Sequence, residues 1–275
     1  MSEARVLDAN TMRSRELLAA FLQADPANRV LLTDFCAMEA YKGCAEVNLI
    51  KSLAVLESFP DQVYVLKNTQ AVAALTNASA LDLRLFIDGE QTAGFSQFCV
   101  DVKRATAGNQ ALAAQLRTHA FIANDYLQRL RDEAAGIGAA ILQIQEGLPP
   151  ATRERLRASS APTPDDADVF IPGILTLTRE FFQMQFGMSV APKAEALRQT
   201  FTFRFSVAAY LLALDWIRRG GAVNALVTKL ANDVVDMNYV AYATYFDGVL
   251  SRDKKLLRIY RQADWYVREV FGPGA

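Results

Sequence analysis

The chain has 275 residues, of which 52% are hydrophobic, enough to bury a sizeable core in one large domain or in a domain that carries an insertion. Its 29 basic and 30 acidic residues give a net charge of −1. The overall charge therefore does not attract polyanions such as nucleic acids, and any binding site for them must be a local basic patch. The three cysteines form no CxxC pair, which indicates a reducing compartment, and we expect no signal peptide or membrane span, because the first residues lack a basic-then-apolar pattern and no apolar run reaches about 18 residues. We therefore expect a soluble, cytoplasmic protein that does not enter the membrane.

The first 70 residues alternate between strand and helix patterns. Three short apolar runs, "ARVL", "NRVLLT" and "DQVYVLK", predict strands, and the last two follow the breaks at Pro26 and Pro60. Helical patterns lie between them in "SRELLAAFLQA", "AMEAYKG" and "NLIKSLAVLESF". This alternation is typical of an α/β fold with parallel strands and crossover helices.

The alternation stops over residues 80–200, which we interpret as a mostly helical insertion. Five of the nine prolines lie between residues 149 and 172 and predict a loop or mobile link there. A helix, "FRFSVAAYLLALDWIRR", then ends at two glycines, and a second helix leads to the short apolar run "GVLS". We expect residues 1–79 and 201–275 to form one core with a central parallel sheet of four or five strands.

Acidic residues follow the first and the last predicted strands. Asp8 comes directly after "ARVL", and Asp253 comes two residues after "GVLS". In open parallel sheets the carboxyl ends of the strands are where ligand sites assemble. Glu39 follows the second strand, and we place Asp236 near the start of the helix "VDMNYVAYATYF". The sequence therefore predicts four carboxylates at one edge of the sheet.

These segments resemble the PIN-domain nucleases, a family that includes bacterial toxin endoribonucleases. The resemblance lies in "VLDANTM", "AMEAYKG" and "VVDMNYVAYATYFDGVLSRDKKL", which together span about a third of the chain. It implies that Asp8, Glu39, Asp236 and Asp253 are the four metal-binding and catalytic acids, with Asn10 and Ser251 at supporting polar positions. It also implies an endonuclease that prefers RNA. The long helical insertion departs from the small toxin members.

The chemistry of a nuclease fits these residue types. Hard carboxylate oxygens bind Mg²⁺ or Mn²⁺, and such a cation also explains why several acids would gather at one place. The segment "SRDKKLLRIYRQ" adds a local basic patch suited to nucleic-acid phosphates, formed by Arg252, Lys254, Lys255 and Arg258. The expected partner is RNA, single-stranded or structured, and the oligomeric state stays open, a homo-oligomer included.

Each acid also has a purely structural interpretation. Asp8 or Asn10 fits a helix N-cap, and Asp236, three residues after Asp233, fits a residue that complements a helix dipole. Glu39 fits a solvated charge, and Asp253 fits a turn. Four further acids lie close enough in sequence to be confused with the set: Asp34, Glu46, Asp233 and Asp247. Among these, Asp34 is the first alternative ligand, because "LLTDF" also ends an apolar run.

Other classes of site find little support. His119 is the only histidine, which excludes histidine-pair catalysis and HExxH zinc chemistry, and we expect it to be a surface or packing residue. The chain contains no GxxxxGK[ST] loop. Two alternatives to a nuclease remain: a non-catalytic PIN-like module that binds nucleic acid or protein, and an interaction protein whose helical insertion carries the function.

Overall fold

A computed structural model describes residues 2–75, 82–133, 135–158, 166–187, 194–221 and 226–272. It has an α/β architecture that is mainly helical, with a single four-stranded sheet in the described ranges. The strands are β1 (Ala4–Leu7), β2 (Arg29–Leu32), β3 (Val63–Val65) and β4 (Val249–Leu250). All four coincide with predicted strands, which confirms the α/β class and the parallel sheet.

The sheet has the order β3-β2-β1-β4, and all three pairings are parallel. Leu7 of β1 is in register with Leu250 of β4, and Val6 is in register with Val249. Val6 and Leu7, which are consecutive and therefore point to opposite faces of the sheet, are both fully buried. Both faces of β1 are covered, which explains why the strand is a nearly continuous apolar run. The carboxyl ends of all four strands consequently share one edge.

The helices lie mostly where helical patterns were predicted. In chain order they are α1 (Ala9–Met12), α2 (Arg15–Ala24), α3 (Asp34–Tyr41), α4 (Ala45–Leu53), α5 (Thr69–Leu75), α6 (Gly89–Thr106), α7 (Gln110–Glu133), α8 (Ala135–Gly147), α9 (Pro150–Ala158), α10 (Ala167–Phe186), α11 (Ala194–Leu197), α12 (Phe201–Arg218), α13 (Val227–Ala243) and α14 (Lys254–Trp265). Three 3₁₀ helices (Leu56–Ser58, Pro60–Gln62 and Leu83–Phe86) and a π-helical segment (Tyr266–Val270) complete the description. No described helix combines the length and the apolar character that a membrane span requires.

The chain divides into two compact units whose boundaries differ from the three segments expected from sequence. Unit 1 takes in residues 2–75, 82–129 and 245–257, and therefore includes the sheet and the first half of the predicted insertion. There α6 packs against β3 and α4, and buried Phe86 contacts the ring of Tyr245 edge to face. Unit 2 takes in the described parts of residues 130–244 and 258–272.

Unit 2 is a helical assembly around α12. This helix is buried along almost its whole length, from Phe201 to Ile217, and α8, α9, α10 and α13 pack around it. A helix that is apolar on all sides is stable only when other elements enclose it. It ends before Gly220 and Gly221, whose φ angles of 102° and 93° suit glycine alone, as the sequence predicted.

In its described parts, the proline-rich segment is helical where a loop was predicted. Residues 150–158 form α9, and α10 continues through Pro172, while residues 159–165 lie outside the described residues. Pro150 occupies the first position of α9, where a missing N–H costs no hydrogen bond. Pro172 lies inside α10, which packs against α12, so tertiary packing outweighs the helix-breaking tendency of one proline.

Candidate metal site at the β1 and β4 tips

Asp8 directly follows β1, and the residue is only 2% exposed. One oxygen, Oδ1, accepts a hydrogen bond from the amide of Asn10 at 3.1 Å, so Asp8 caps the short helix α1. The other oxygen, Oδ2, accepts the hydroxyl of Ser251 at 2.6 Å. The parallel register of β1 and β4 brings these two residues together, because each is the first residue beyond its strand.

Ser251 also connects Asp8 to Asp253. Its hydroxyl oxygen accepts the amide of Asp253 at 2.9 Å, so one side chain positions both acids. Oδ1 of Asp253 accepts the amides of Lys255 and Leu256 at 2.6 and 3.0 Å, which caps the first turn of α14. Asp253 is exposed, and its carboxylate is therefore open to a ligand on the solvent side.

The electrostatic environment disfavours a bare carboxylate at Asp8. Burial raises the pKa of Asp8, the hydrogen bonds from Ser251 and Asn10 lower it, and the negative charge of Asp253 raises it again, with a net increase. A cation bound between the two acids would remove this cost, as would a proton.

Glu39 lies on α3 and is half-buried. Arg13 donates from Nη2 to the main-chain oxygen of Glu39 at 3.4 Å, and Arg13 also lines the cavity next to Asp8. Burial raises the pKa of the Cys36 thiol well above its ordinary value, and the charges of Asp8 and Glu39 raise it further. Both acids thus act on the same buried thiol, although Glu39 does not line the cavity at Asp8.

Asp236 lies in unit 2, within α13. Its predicted place near the start of a helix is wrong, because α13 begins at Val227, nine residues earlier. The same boundary overturns the interpretation that Asp236 complements a helix N-terminus. Its neighbour Asp233 is buried and accepts the indole N–H of Trp216 at 2.8 Å, which gives Asp233 a structural role. The assignment of Asp236 as a metal ligand stays a prediction.

Two other acids flagged in the sequence have structural partners. The carboxylate of Asp34 accepts the amide and the hydroxyl of Thr69 at 2.8 and 2.9 Å, so it fastens α3 to the start of α5. Asp247 accepts the amide of Ala4 at 2.8 Å and therefore lies where β1 begins, at the opposite edge of the sheet from Asp8. His119 is exposed and lies 6.0 Å from the ring of Tyr41, as expected of a surface or packing residue.

The predicted basic patch divides into two groups. Arg252 and Lys254 are exposed and Lys255 is half-buried, and Arg252 makes a surface ion pair with Glu16 at 3.3 Å. Arg258 belongs to unit 2, where its guanidinium contacts Asp215 at 2.6 Å. A role for Arg258 in phosphate binding beside Asp253 therefore competes with this ion pair.

A shallow cavity of about 370 Å³ adjoins Asp8. Its lining consists of Asp8, Asn10, Thr11, Arg13, Ser14, Arg252 and Asp253. The sequence analysis missed three of these residues, Thr11, Arg13 and Ser14, although their position in or just after the helix that Asp8 caps was an available signal. Across the described residues, no group of three or more histidines, cysteines or acids is arranged to hold a metal ion. Asp8 and Asp253 remain as a pair of oxygen donors.

A second cavity in unit 1 is larger, about 1100 Å³, and mostly apolar in its lining. It lies beyond the ends of β2 and β3 and is bounded by α3, α4, α6 and α7. Its volume suits a ligand of drug size. Three acids line it: Asp34 accepts two hydrogen bonds from Thr69, Asp88 caps α6 by accepting the amide of Gln91, and Glu90 is exposed.

Comparison with known proteins adds no relative, since no family profile, curated protein or solved structure matches the chain.

Proposed function

We propose that the chain is a metal-dependent endonuclease with a PIN-like sheet, which hydrolyses phosphodiester bonds of RNA with Mg²⁺ or Mn²⁺ at Asp8 and Asp253. The observation that carries the proposal is the pair of acids joined by Ser251 at the tips of β1 and β4. The sheet continues from β1 to β2 and β3 on one side and to β4 on the other. The strand order therefore reverses direction between β1 and β4, and open parallel sheets bind ligands beyond the carboxyl ends of the strands at such a switch point.

The donor set suits a hard divalent cation. Mg²⁺ typically takes one or two carboxylates and completes its coordination with water and substrate phosphate oxygens. Two carboxylates are therefore sufficient to bind Mg²⁺. No group of three or more such donors occurs among the described residues. A bound divalent cation would supply Lewis-acid stabilisation of the phosphate and an activated water.

The Ser251 hydroxyl and the main-chain N–H of Asn10 would position Asp8. Ser251 and the Asn10 amide each hold one oxygen of Asp8, so its carboxylate keeps one orientation. Arg13 and Arg252 line the same cavity and offer guanidinium donors to phosphate oxygens. Their positive charge also offsets part of the repulsion between the two acids.

The remaining parts of the proposal come from the sequence resemblance. These are the preference for RNA and the assignment of Glu39 and Asp236 as further ligands, which no group of three donors among the described residues supports. The Asp236→Asn variant below tests one of these two acids.

A second candidate is a non-catalytic PIN-like module that binds nucleic acid or protein. The observation in its favour is that both oxygens of Asp8 and one oxygen of Asp253 already accept hydrogen bonds that stabilise helix ends and strand tips. In that case the acids would hold the edge of the sheet together and Arg13, Arg252 and Lys254 would bind the partner.

A paired measurement separates the two functions. Thermal melts with and without Mn²⁺, and cleavage of single-stranded RNA, are recorded for wild type, Asp8→Asn, Asp253→Asn and Asp236→Asn. Metal should stabilise wild type by about 2.7 kcal/mol at 100 times its Kd, and the first two variants should lose most of this gain. Their cleavage rate should fall by about 100-fold or more.

The matched control is Asp61→Asn, an exposed acid in the turn that precedes β3. It changes the charge by the same amount and should leave both readouts unchanged. Metal stabilisation and cleavage that persist in Asp8→Asn and Asp253→Asn would refute the nuclease and favour the binding module.

A further inference from the structure

Three arginines of unit 2 converge on one buried carboxylate. Asp215, near the end of α12, has a side chain that is 6% exposed. Its Oδ1 accepts Nη2 of Arg218 at 2.9 Å and Nη2 of Arg258 at 2.6 Å. Arg219 brings its Nη2 to 2.8 Å from Oδ2 and donates from Nε to the main-chain oxygen of Asp215. We call these four residues the Asp215 cluster.

The Asp215 cluster carries more positive charge than its carboxylate can balance. Three guanidinium groups against one carboxylate leave a surplus of two charges. Burial would raise the pKa of Asp215, but the hydrogen bond from Arg218 and the charges of Arg219 and Arg258 outweigh it and lower the pKa. Asp215 is therefore ionised at neutral pH, and one or two arginines would suffice to pair with it.

The arginines keep unused hydrogen-bonding capacity. Each guanidinium has five N–H donors, and one carboxylate accepts about four hydrogen bonds. Oδ2 of Asp215 is buried and receives no aligned hydrogen bond, although Arg219 Nη2 lies beside it. The side chains of Arg218, Arg219 and Arg258 are 26%, 32% and 37% exposed, so part of each guanidinium faces solvent.

An adjacent tryptophan fixes two cations in place. The guanidinium of Arg219 lies 4.4 Å from the ring centroid of Trp216, and the ammonium of Lys229 lies 5.1 Å from it. The indole N–H donates to Asp233, so the ring itself is held. Arg219 is thus positioned by a carboxylate and by an aromatic ring, which limits the entropy that it would lose on binding a ligand.

We propose that the Asp215 cluster is a binding site for a phosphate group. Several fixed guanidinium groups with spare N–H donors match the oxygens of a tetrahedral phosphate, and the surplus charge is compensated by one dianion. The phosphate is carried either by a polynucleotide or by a small molecule such as inorganic phosphate. Every residue of this site belongs to unit 2, whereas the residues of the proposed metal centre belong to unit 1.

Trp216 supplies the reporter for the test. The chain has two tryptophans, so the full-length Trp265→Phe variant leaves Trp216 as the only indole. Inorganic phosphate and a single-stranded RNA oligonucleotide are titrated separately at constant ionic strength in the presence of a chelator. Saturable change in Trp216 fluorescence is expected, because the ligand contacts the arginine that lies on the ring. The absence of a saturable change with both ligands, confirmed by calorimetry, would overturn the proposal.

Charge-matched variants distinguish a site from general attraction. Arg218→Gln and Arg258→Gln should each weaken phosphate binding by about 10-fold, as expected when one charge-assisted hydrogen bond is lost. Arg179→Gln removes the same charge from an exposed position on α10 and should have no effect. Equal weakening in all three variants would show non-specific attraction and overturn the assignment.

Asp215→Asn tests the proposal from the opposite direction, because it removes the carboxylate and keeps all three arginines, while the titrations of Trp265→Phe need no change within the cluster. Without the competing carboxylate, the three arginines should bind phosphate about 10-fold more tightly. Weaker binding by folded Asp215→Asn would overturn the proposal. RNA binding that phosphate displaces identifies a polynucleotide as the source, whereas binding of phosphate alone identifies a small molecule. This test measures binding and uses no cleavage assay. A negative result would therefore overturn the phosphate site without bearing on the proposed nuclease activity.

Discussion

Replacement of Ser251 by alanine removes the hydroxyl that positions both acids of the candidate site. The hydroxyl donates to buried Asp8 at 2.6 Å and accepts the amide of Asp253 at 2.9 Å. A hydrogen bond to a charged group contributes about 1.5–3 kcal/mol, and water cannot easily replace it because Asp8 is 2% exposed. We therefore expect Ser251→Ala to lower the free energy of unfolding by about 2–3 kcal/mol at pH 7.

The size of this effect should depend on pH. Burial raises the pKa of Asp8 above 3.8, so the folded protein binds this proton more tightly than the unfolded chain and loses stability as pH rises through the folded pKa. Ser251→Ala raises that pKa further, because a hydrogen bond to the charged form is lost. At pH 4 a larger share of Asp8 is protonated than at pH 7, so part of the lost bond is a neutral one, and the cost should be smaller, approaching about 1 kcal/mol as protonation becomes complete.

Urea unfolding of the metal-free protein at pH 4 and pH 7 measures both values. Ser206→Ala is the matched control, since its buried hydroxyl donates to the main-chain oxygen of Thr202 at 2.7 Å and touches no acid. It should cost about 1 kcal/mol at both pH values. A Ser251→Ala effect that is negligible, or that is the same at both pH values, would refute the role of Ser251 as a support for an ionised Asp8.

Three further predictions concern the packing and charge of the fold. Gly173→Ala would place its Cβ 2.5 Å from the ring of Tyr210 and should lower stability by about 1–3 kcal/mol, whereas Gly136→Ala meets no atom within 4 Å and should change the Tm little. Phe86→Ala, at a fully buried ring between two aromatic neighbours, should cost about 3–5 kcal/mol in urea unfolding. The pKa of Asp215 is lowered, so its stabilisation is fully present above the unfolded value of 3.8 and is lost as pH falls through the lower, folded pKa. Asp215→Asn should therefore cost about 3 kcal/mol at pH 7, and this cost should shrink in melts taken to progressively lower pH below 3.8.

Local patterns were sufficient to predict the strands and the acids at their tips. A run such as "RVLL" between turn residues has few alternatives, and the residue after a parallel strand always lies at the carboxyl edge of the sheet. The position of Asp8 beside Ser251 follows from that rule once β1 and β4 are neighbours. The order of the strands in the sheet could not be predicted from local patterns, because it depends on how the connecting helices pack against the sheet.

The start of α13 was misjudged for a local reason. Leu226 precedes the helix and makes no side-chain cap, so the usual signal of a helix N-terminus is missing there. The spacing of three residues between Asp233 and Asp236 imitates such a signal further along the chain. The ion pair between Arg258 and Asp215 joins residues 43 positions apart, and the hydrogen bonds of Asp34 with Thr69 span 35 positions. Sequence spacing carries no information about such contacts.

Capping and metal binding are compatible roles for Asp8. Each carboxylate oxygen has two acceptor positions, and the contacts with Asn10 and Ser251 occupy one on each oxygen. Asparagine retains the cap while removing the charge, whereas alanine removes both and should cost about 0.5–2 kcal/mol. Asp8→Asn should therefore keep or raise the metal-free Tm, because a buried charge next to Asp253 disappears, and should lose the response to Mn²⁺. A cap without a metal role predicts the same small change in Tm but leaves the response to Mn²⁺ as it is in wild type, so the metal arm of the melt decides between the two.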